Sequence, residues 1–266
     1  MIKRWLKRIY GVLTLKPYRD EVIANQLKQL RLSEKIYEQL FLNNPVLVLN
    51  GVKFYLPLFY IDHLQKIIFQ NRDYYEKETL SYLKTNFGQF ETIVDVGANI
   101  GNHMLFFCSQ MEAQKVYCFE PNQYTCSVLT KNVELNGLGK TVEIHQSALG
   151  EKKGHGIQQG FSLTNTGMNR IVPGGETLED ASVEIICLDD FNYSKTDFIK
   201  IDVEGFELAV LKGAEKTILR TRPVIMIEVF DDNKMIVDDI MRSYGYRKSV
   251  TLEEYNCIYI VDQPGH

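Results

Sequence analysis

The chain has 266 residues, 45% of them hydrophobic and 24% charged, and a net charge of −4. Those proportions fit a folded globular protein, and no apolar run approaches the roughly 20 residues that a spanning helix needs. Residues 1–19 carry Lys3, Arg4, Lys7, Arg8, Lys16 and Arg19 without an acid. The remainder is therefore more acidic than the total, which argues against a protein that wraps nucleic acid.

Residues 2–15 put Trp5, Leu6, Ile9, Val12 and Leu13 near one helical face with the cations opposite. Such a helix packs on its own domain or a sister subunit, or lies on an anionic membrane surface. Its apolar run is broken by Tyr10 and Gly11 and lacks a small-residue cleavage site, so it does not read as a secretory signal. A second helix is expected over residues 19–42, stopping before Asn43-Asn44-Pro45. Val46 to Leu49 and Val52 to Leu56 flank Asn50-Gly51, a hairpin signal. The mixed stretch Phe59 to Phe69 gives no clear element. Residues 1–70 thus read as a helical and hairpin extension, and residues 71–266 as the main domain. A helix opens at Tyr75-Glu76 and ends at Gly88.

Residues 91–121, ETIVDVGANIGNHMLFFCSQMEAQKVYCFEP, organise the rest. An apolar β-branched run, Ile93 to Val96, ends in Gly97-Ala98-Asn99-Ile100-Gly101, where two glycines permit a tight turn and close approach of a ligand. A helix with Met104, Leu105, Phe107 and Cys108 on one face follows. A second strand, Val116 to Phe119, then delivers Glu120. Strand, turn, helix, strand and acid make the first half of a nucleoside-binding α/β unit. A dinucleotide turn places a glycine where Asn99 stands, so a nicotinamide oxidoreductase is disfavoured. Asp95, two residues before the turn, suits a cation better than a pyrophosphate. The D-x-G-x-N-x-G pattern followed by an acid resembles the S-adenosylmethionine site of class I methyltransferases.

Beyond Pro121, Asn122 to Asn136 reads as a helix and Thr141 to Gln146 as a third strand. Residues 154–175 show no period and hold six glycines, so a functional or mobile loop is expected. Val183 to Leu188 is a strand, Asp197 to Val203 the fourth core strand, and Glu207 to Arg220 a helix. Pro223 to Val229 is the fifth core strand, Lys234 to Tyr244 a helix, and Tyr246 to Val250 with Cys257 to Val261 a terminal strand pair. Alternating strands and helices imply an α/β doubly wound sheet covered on both faces, with an antiparallel element at its end. The five cysteines lack metal-ligand spacing, which favours a reducing, cytoplasmic setting.

Once Ile201-Asp202-Val203-Glu204-Gly205-Phe206-Glu207 is reached, the sequence resembles the FkbM-like methyltransferases, a branch of the class I S-adenosylmethionine-dependent fold. Tyr75-Glu76, DVGANIG at 95–101, FEPN at 119–122, SALG at 147–150, LDDF at 188–191, FIKIDVEGFE at 198–207 and VIMIEV at 224–229 carry the likeness. The resemblance implies a Rossmann-like sheet of seven strands, the last antiparallel, and O-methylation of a sugar or secondary-metabolite hydroxyl. A degenerate, non-catalytic partner in glycan assembly is disfavoured, because the matched cofactor residues are intact.

On the matched blocks, Asp95, Gly97, Asn99, Gly101 and Asn102 would form the methionine-end pocket. Glu120, with Pro121 and Asn122, would take the ribose, and Ser147 and Ala148 would line the adenine. Asp202 and Glu228, at the ends of the fourth and fifth core strands, are the candidate bases, with Glu204 beside them. Asp202 could also contact the cofactor amine. His103, on the first turn of the cofactor helix, is a further candidate. No metal ligand set is assigned, although the same carboxylates would serve a divalent cation. Asn165, Asn169 and Arg170 are plausible acceptor contacts in the long loop. The acceptor is a carbohydrate or small-molecule hydroxyl. Any peripheral contact with the inner face of the membrane would fall to residues 1–19.

Overall fold

The computed structural model describes residues 43–168, 170–174 and 182–262. The helices expected in residues 2–15 and 19–42, and loop residue Asn169, lie outside that set. The chain divides into two compact units, residues 1–46 and 47–266. This boundary differs from the one expected at residue 70. The hairpin strand from Leu47 and everything after it belong with the main domain, because their apolar side chains, among them Phe54, Leu56 and Ile68, are buried within it.

Strands β1 (Val46–Leu49) and β2 (Val52–Tyr55) form the expected hairpin. Asn50 and Gly51 both have positive φ, as a tight primed turn requires. The unassigned aromatic stretch contains the helix His63–Asn71, started by Asp62, whose carboxylate accepts from the Gln65 N–H. The helix Lys77–Phe87 stops at Gly88 as expected. Next come β3 (Thr92–Val96), the helix Asn102–Gln110, β4 (Lys115–Phe119), the helix Gln123–Leu135 and β5 (Val142–His145).

The segment expected to be an irregular loop contains two strands, Gly154–Gln159 and Arg170–Pro173. β6 (Ala148–Leu149), β7 (Gly154–Gln159), β8 (Arg170–Pro173) and β9 (Ser182–Ile186) form a separate sheet in the order β6-β9-β7-β8. Its small core is Ala148, Ile171, Val183 and Ile185. A Cβ at Gly156 would lie 2.7 Å from Ile171 Cγ2, so this strand needs the glycine that makes it read as loop.

β10 (Phe198–Ile201) is followed by two short helices, Glu207–Gly213 and Glu215–Thr221, where one was expected. The break has two causes, both from segments distant in sequence. Gly213 lies against the Gly150 carbonyl, leaving 1.9 Å to a Cβ it does not have. Asp189 then accepts from the Lys216 and Thr217 N–H groups and restarts the helix. β11 (Val224–Glu228), the helix Asp231–Ser243, β12 (Tyr246–Leu252) and β13 (Asn256–Val261) complete the chain.

The main sheet runs β12-β13-β11-β10-β3-β4-β5, and β13 alone is antiparallel to its neighbours. Ile199 sits between Val94 and Ile225 in register. These residues and Val96, Ile201 and Ile227 are buried with Leu211, Ile218, Val237 and Met241 of the helices. The burial is on both faces, which is why these strands read as unbroken apolar runs. From β3 the chain winds outward through β4 and β5, then returns to β10 on the other side. The order reverses between β3 and β10, and a crevice opens at their carboxyl ends.

Candidate active site

The turn after β3 is shaped by its neighbours. Gly97 has φ +76°, and a Cβ there would come within 1.8 Å of the Asp202 carbonyl oxygen at the end of β10. Only glycine fits that approach. Gly97 and Ala98 donate to the Phe119 carbonyl, joining the turn to the end of β4. Asn99 adopts φ +49° and donates its N–H to Glu120 Oε2 at 2.8 Å.

Beneath the turn lies Lys200, only 2% exposed, facing Asp95 across the β3–β10 register. Its ammonium donates to the Gly97 carbonyl at 2.7 Å and lies 3.3 Å from Asp95 and 3.1 Å from Asp202. Burial pushes the lysine pKa down, but the two carboxylates outweigh it and hold it above the usual range. A lone charge inside the buried strand FIKI is the sequence signal for this residue, which is not among the site residues that the motifs point to.

The crevice is a cavity of about 340 Å³, within the ordinary range for a small-molecule site. Of the predicted cofactor residues, Gly97, Asn99, Asn102, Glu120, Pro121, Ser147, Ala148 and Asp202 line it. Asp95, Gly101 and Asn122 do not. Asp95 stands behind the turn as the partner of Lys200, and Gly101 precedes the helix Asn102–Gln110. Asn122 caps the helix Gln123–Leu135 by accepting from Tyr124 and Thr125. Asn102 spends its amide on the backbone of Tyr75, accepting from its N–H and donating to its carbonyl.

Glu120 is buried and accepts from Asn99, from the Asn122 N–H and from the Thr125 hydroxyl. Burial raises its pKa, and those three donors oppose the rise. The Ser147 hydroxyl and Asn99 Oδ1 are buried polar atoms without a hydrogen-bond partner.

Across the cavity, Asp202, Glu204 and Glu228 each offer a carboxylate oxygen, all within 4.8 Å of one another. They share charge unequally. Burial and the neighbouring Asp202 drive the Glu228 pKa up to about 11, so it holds its proton and bonds to Asp202. Burial pushes Asp202 up too, but Lys200 and the Glu228 hydrogen bond bring it below the usual carboxylate range. Glu204, at φ +50°, is raised to about 7 by burial, Asp202 and Glu207. Glu207 itself accepts from the Gly205 N–H at the start of its helix.

His103 Nε2 lies 3.0 Å from Glu76, whose other oxygen accepts from the Asn256 amide. Tyr75, Glu76, Tyr255 and Phe230 complete this wall, and Phe230 is 53% exposed. Asn165 also lines the cavity, whereas Arg170 lies outside its lining. Phe230, Tyr255 and Asn256 fall outside the matched motifs, so spacing along the chain points to no role for them.

Strand order, the antiparallel β13 and a cavity at the β3–β10 reversal define a class I methyltransferase fold. The chain belongs to the family described as the Methyltransferase FkbM domain, whose model matches residues 95–248. It is 26% identical over 163 residues to the hexuronic acid methyltransferase AglP of Haloferax volcanii, covering 57% of this chain and 61% of that one. It is 28% identical over 157 residues to the methyltransferase sdnD of Sordaria araneosa, covering 47% and 60%. The chain thus spans about three fifths of the length of these relatives. The crystal structure of the methyltransferase FkbM from Methylobacillus flagellatus aligns with 67% of this chain and 46% of its own, at 21% identity and a TM-score of 0.48.

Proposed function

We propose that the protein is an S-adenosylmethionine-dependent O-methyltransferase acting on a sugar hydroxyl of a glycan or glycan precursor. The observation that carries this reading is one cavity with two dissimilar walls. Glu120, Ser147 and Ala148 make a nucleoside wall, and Asp202, Glu204 and Glu228 make an acidic one.

The residues suit that cofactor. The unpartnered Ser147 and Asn99 atoms await a polar ligand, and Glu120 keeps lone pairs for ribose hydroxyls after accepting its three donors. An acidic wall favours a cation such as a sulfonium. When bound, S-adenosylmethionine supplies an electrophilic methyl group that leaves sulfur by in-line displacement. The protein's part is then alignment and removal of the acceptor proton.

Glu204 is the best-matched proton acceptor, since a pKa of about 7 leaves it half ionised near neutrality. Asp202 stays ionised against Lys200, and protonated Glu228 donates to it, so neither is as well suited to take the proton. His103, whose Nε2 lies 3.0 Å from Glu76, is the next acceptor to test. Phe230 and Tyr255, with ring centroids 6.0 Å apart, offer an apolar surface to one face of a sugar ring. The name of the Haloferax volcanii relative supports a sugar acceptor.

The three clustered carboxylates also suit a divalent cation, which would displace the Glu228 proton. Chelation separates the cases: unchanged turnover in excess EDTA fits the proton acceptor, and loss restored by Mg²⁺ fits the cation.

Calorimetry should detect S-adenosylhomocysteine binding and no NAD binding. Label from methyl-labelled S-adenosylmethionine should enter a glycoside panel as an alkali-stable ether. An alkali-labile product would instead mean methylation of a carboxyl group, and NAD binding would sink the reading altogether.

A further inference from the structure

The strands β7 and β8 pair as a hairpin whose tip, residues 160–168, reaches over the cofactor turn. Asn165, Thr166, Gly167 and Met168 line the cavity. A Cβ at Gly167 would sit 3.6 Å from the Asn99 amide nitrogen, so the tip rests on the turn itself. The tip is internally braced by the Ser162–Asn165 bridge and by a 2.7 Å hydrogen bond between the Ser162 and Thr164 hydroxyls.

Asp62 fastens this tip from outside its own sheet. Asp62 is fully buried and no described cation pairs with it, so its carboxylate must be satisfied by hydrogen bonds. Its two oxygens face different elements. Oδ1 accepts from the Gln65 N–H at 3.0 Å and starts the helix His63–Asn71. Oδ2 accepts from the Thr166 N–H at 2.8 Å and from the Thr166 hydroxyl at 2.9 Å. Beside it the His63 N–H donates to the Thr164 carbonyl at 3.0 Å. Thr166 is 2% exposed, whereas Phe161, Leu163 and Met168 around it are exposed apolar side chains. The tip is therefore held to the start of the helix His63–Asn71 through Thr164 and Thr166, while its apolar side chains stay exposed.

We propose that Asp62 is a positioning residue that clips the β7–β8 tip closed over the methionine end of the cofactor. The inference rests on the cofactor reading above. Opening the tip costs two charge-assisted hydrogen bonds and returns the carboxylate to water, so closure is favoured yet reversible. The clip acts on residence of the cofactor, since the tip must lift for the nucleoside to leave.

The test measures dissociation of S-adenosylhomocysteine from the full chain. Asp62→Ser keeps a helix-starting hydroxyl but is too short to reach Thr166. Thr166→Val removes the hydroxyl's bond to Asp62 and keeps the N–H bond, and Thr166→Ser restores it. Dissociation should quicken about tenfold in Asp62→Ser and less in Thr166→Val, and be near wild type in Thr166→Ser. Melting temperatures should stay close to wild type, and hydrogen exchange should rise in residues 160–168. If wild type binds and both disrupting variants release the ligand at its rate, the clip is wrong and the cofactor reading stands. A similar fall in melting temperature for all three variants, without faster release, would assign Asp62 a purely structural part and overturn the proposal. A wild-type chain that does not bind S-adenosylhomocysteine sinks both readings.

Discussion

Glu120 serves the fold and, in the proposed function, a ligand as well. Its oxygens already hold Asn99, Asn122 and Thr125, so the carboxylate would be oriented before the proposed ribose binds. Removing it forfeits charge-assisted bonds worth on the order of 3 kcal/mol. Glu120→Ala should weaken S-adenosylmethionine binding roughly a hundredfold, read as Kd by calorimetry. Glu204 governs the chemical step in the proposed reaction. A group that must be ionised to accept a proton, with a pKa of about 7, makes turnover rise as pH increases through 7. Glu204→Gln should lower kcat about a hundredfold and abolish that rise, with cofactor Kd little changed. A retained pH step in the variant would move the assignment to the Glu76–His103 pair.

At the scale of elements, β10 is the member on which the site depends. Lys200 is carried in its buried centre and joins β3 through Asp95, the turn through Gly97 and the crevice through Asp202. Removing one partner of a buried charged group leaves the others uncompensated, at a cost of about 3–5 kcal/mol. Lys200→Met should therefore lower the denaturation midpoint by far more than a surface lysine change would. It should also weaken cofactor binding, because the Gly97 carbonyl loses the donor that shapes the turn. Retained stability and affinity would mean the ion pairs add nothing to either.

For the whole molecule, the acidic cluster links stability to pH. The folded pKa of Glu228, about 11, lies above its ordinary 4.5. The stability it contributes is thus complete below about pH 4.5 and is lost as pH rises towards 11. Glu204 behaves alike between 4.5 and about 7. Calorimetry should give a higher Tm near pH 6 than near pH 8.5. Glu228→Gln, which keeps a donor to Asp202 without a proton to lose, should flatten that slope and raise Tm at pH 8.5 by about 2–4 °C. Among the described residues no helix is long and apolar enough to cross a membrane. The basic segment at 1–19 remains a proposed contact with anionic membrane surfaces. Deleting residues 1–15 should reduce sedimentation with anionic liposomes and leave turnover of a dissolved acceptor intact.

The sequence determined what periodicity and fixed motifs encode. Five apolar runs became parallel core strands, Asn50-Gly51 became a hairpin turn, and Asn99 and Glu120 met at the ends of β3 and β4. These features are local, or separated by one strand–helix–strand unit, so spacing alone specifies them. Tertiary structure decided the rest. β7 and β8 were hidden because a strand needing Gly156 for close packing has the composition of a loop. The break after Gly213 depends on Gly150 and Asp189, both distant in sequence. The ionisation of Asp202, Glu204 and Glu228 depends on which carboxylate lies nearest Lys200 and which is buried without a cation. Burial and distance belong to the folded chain, and no spacing along the sequence contains them.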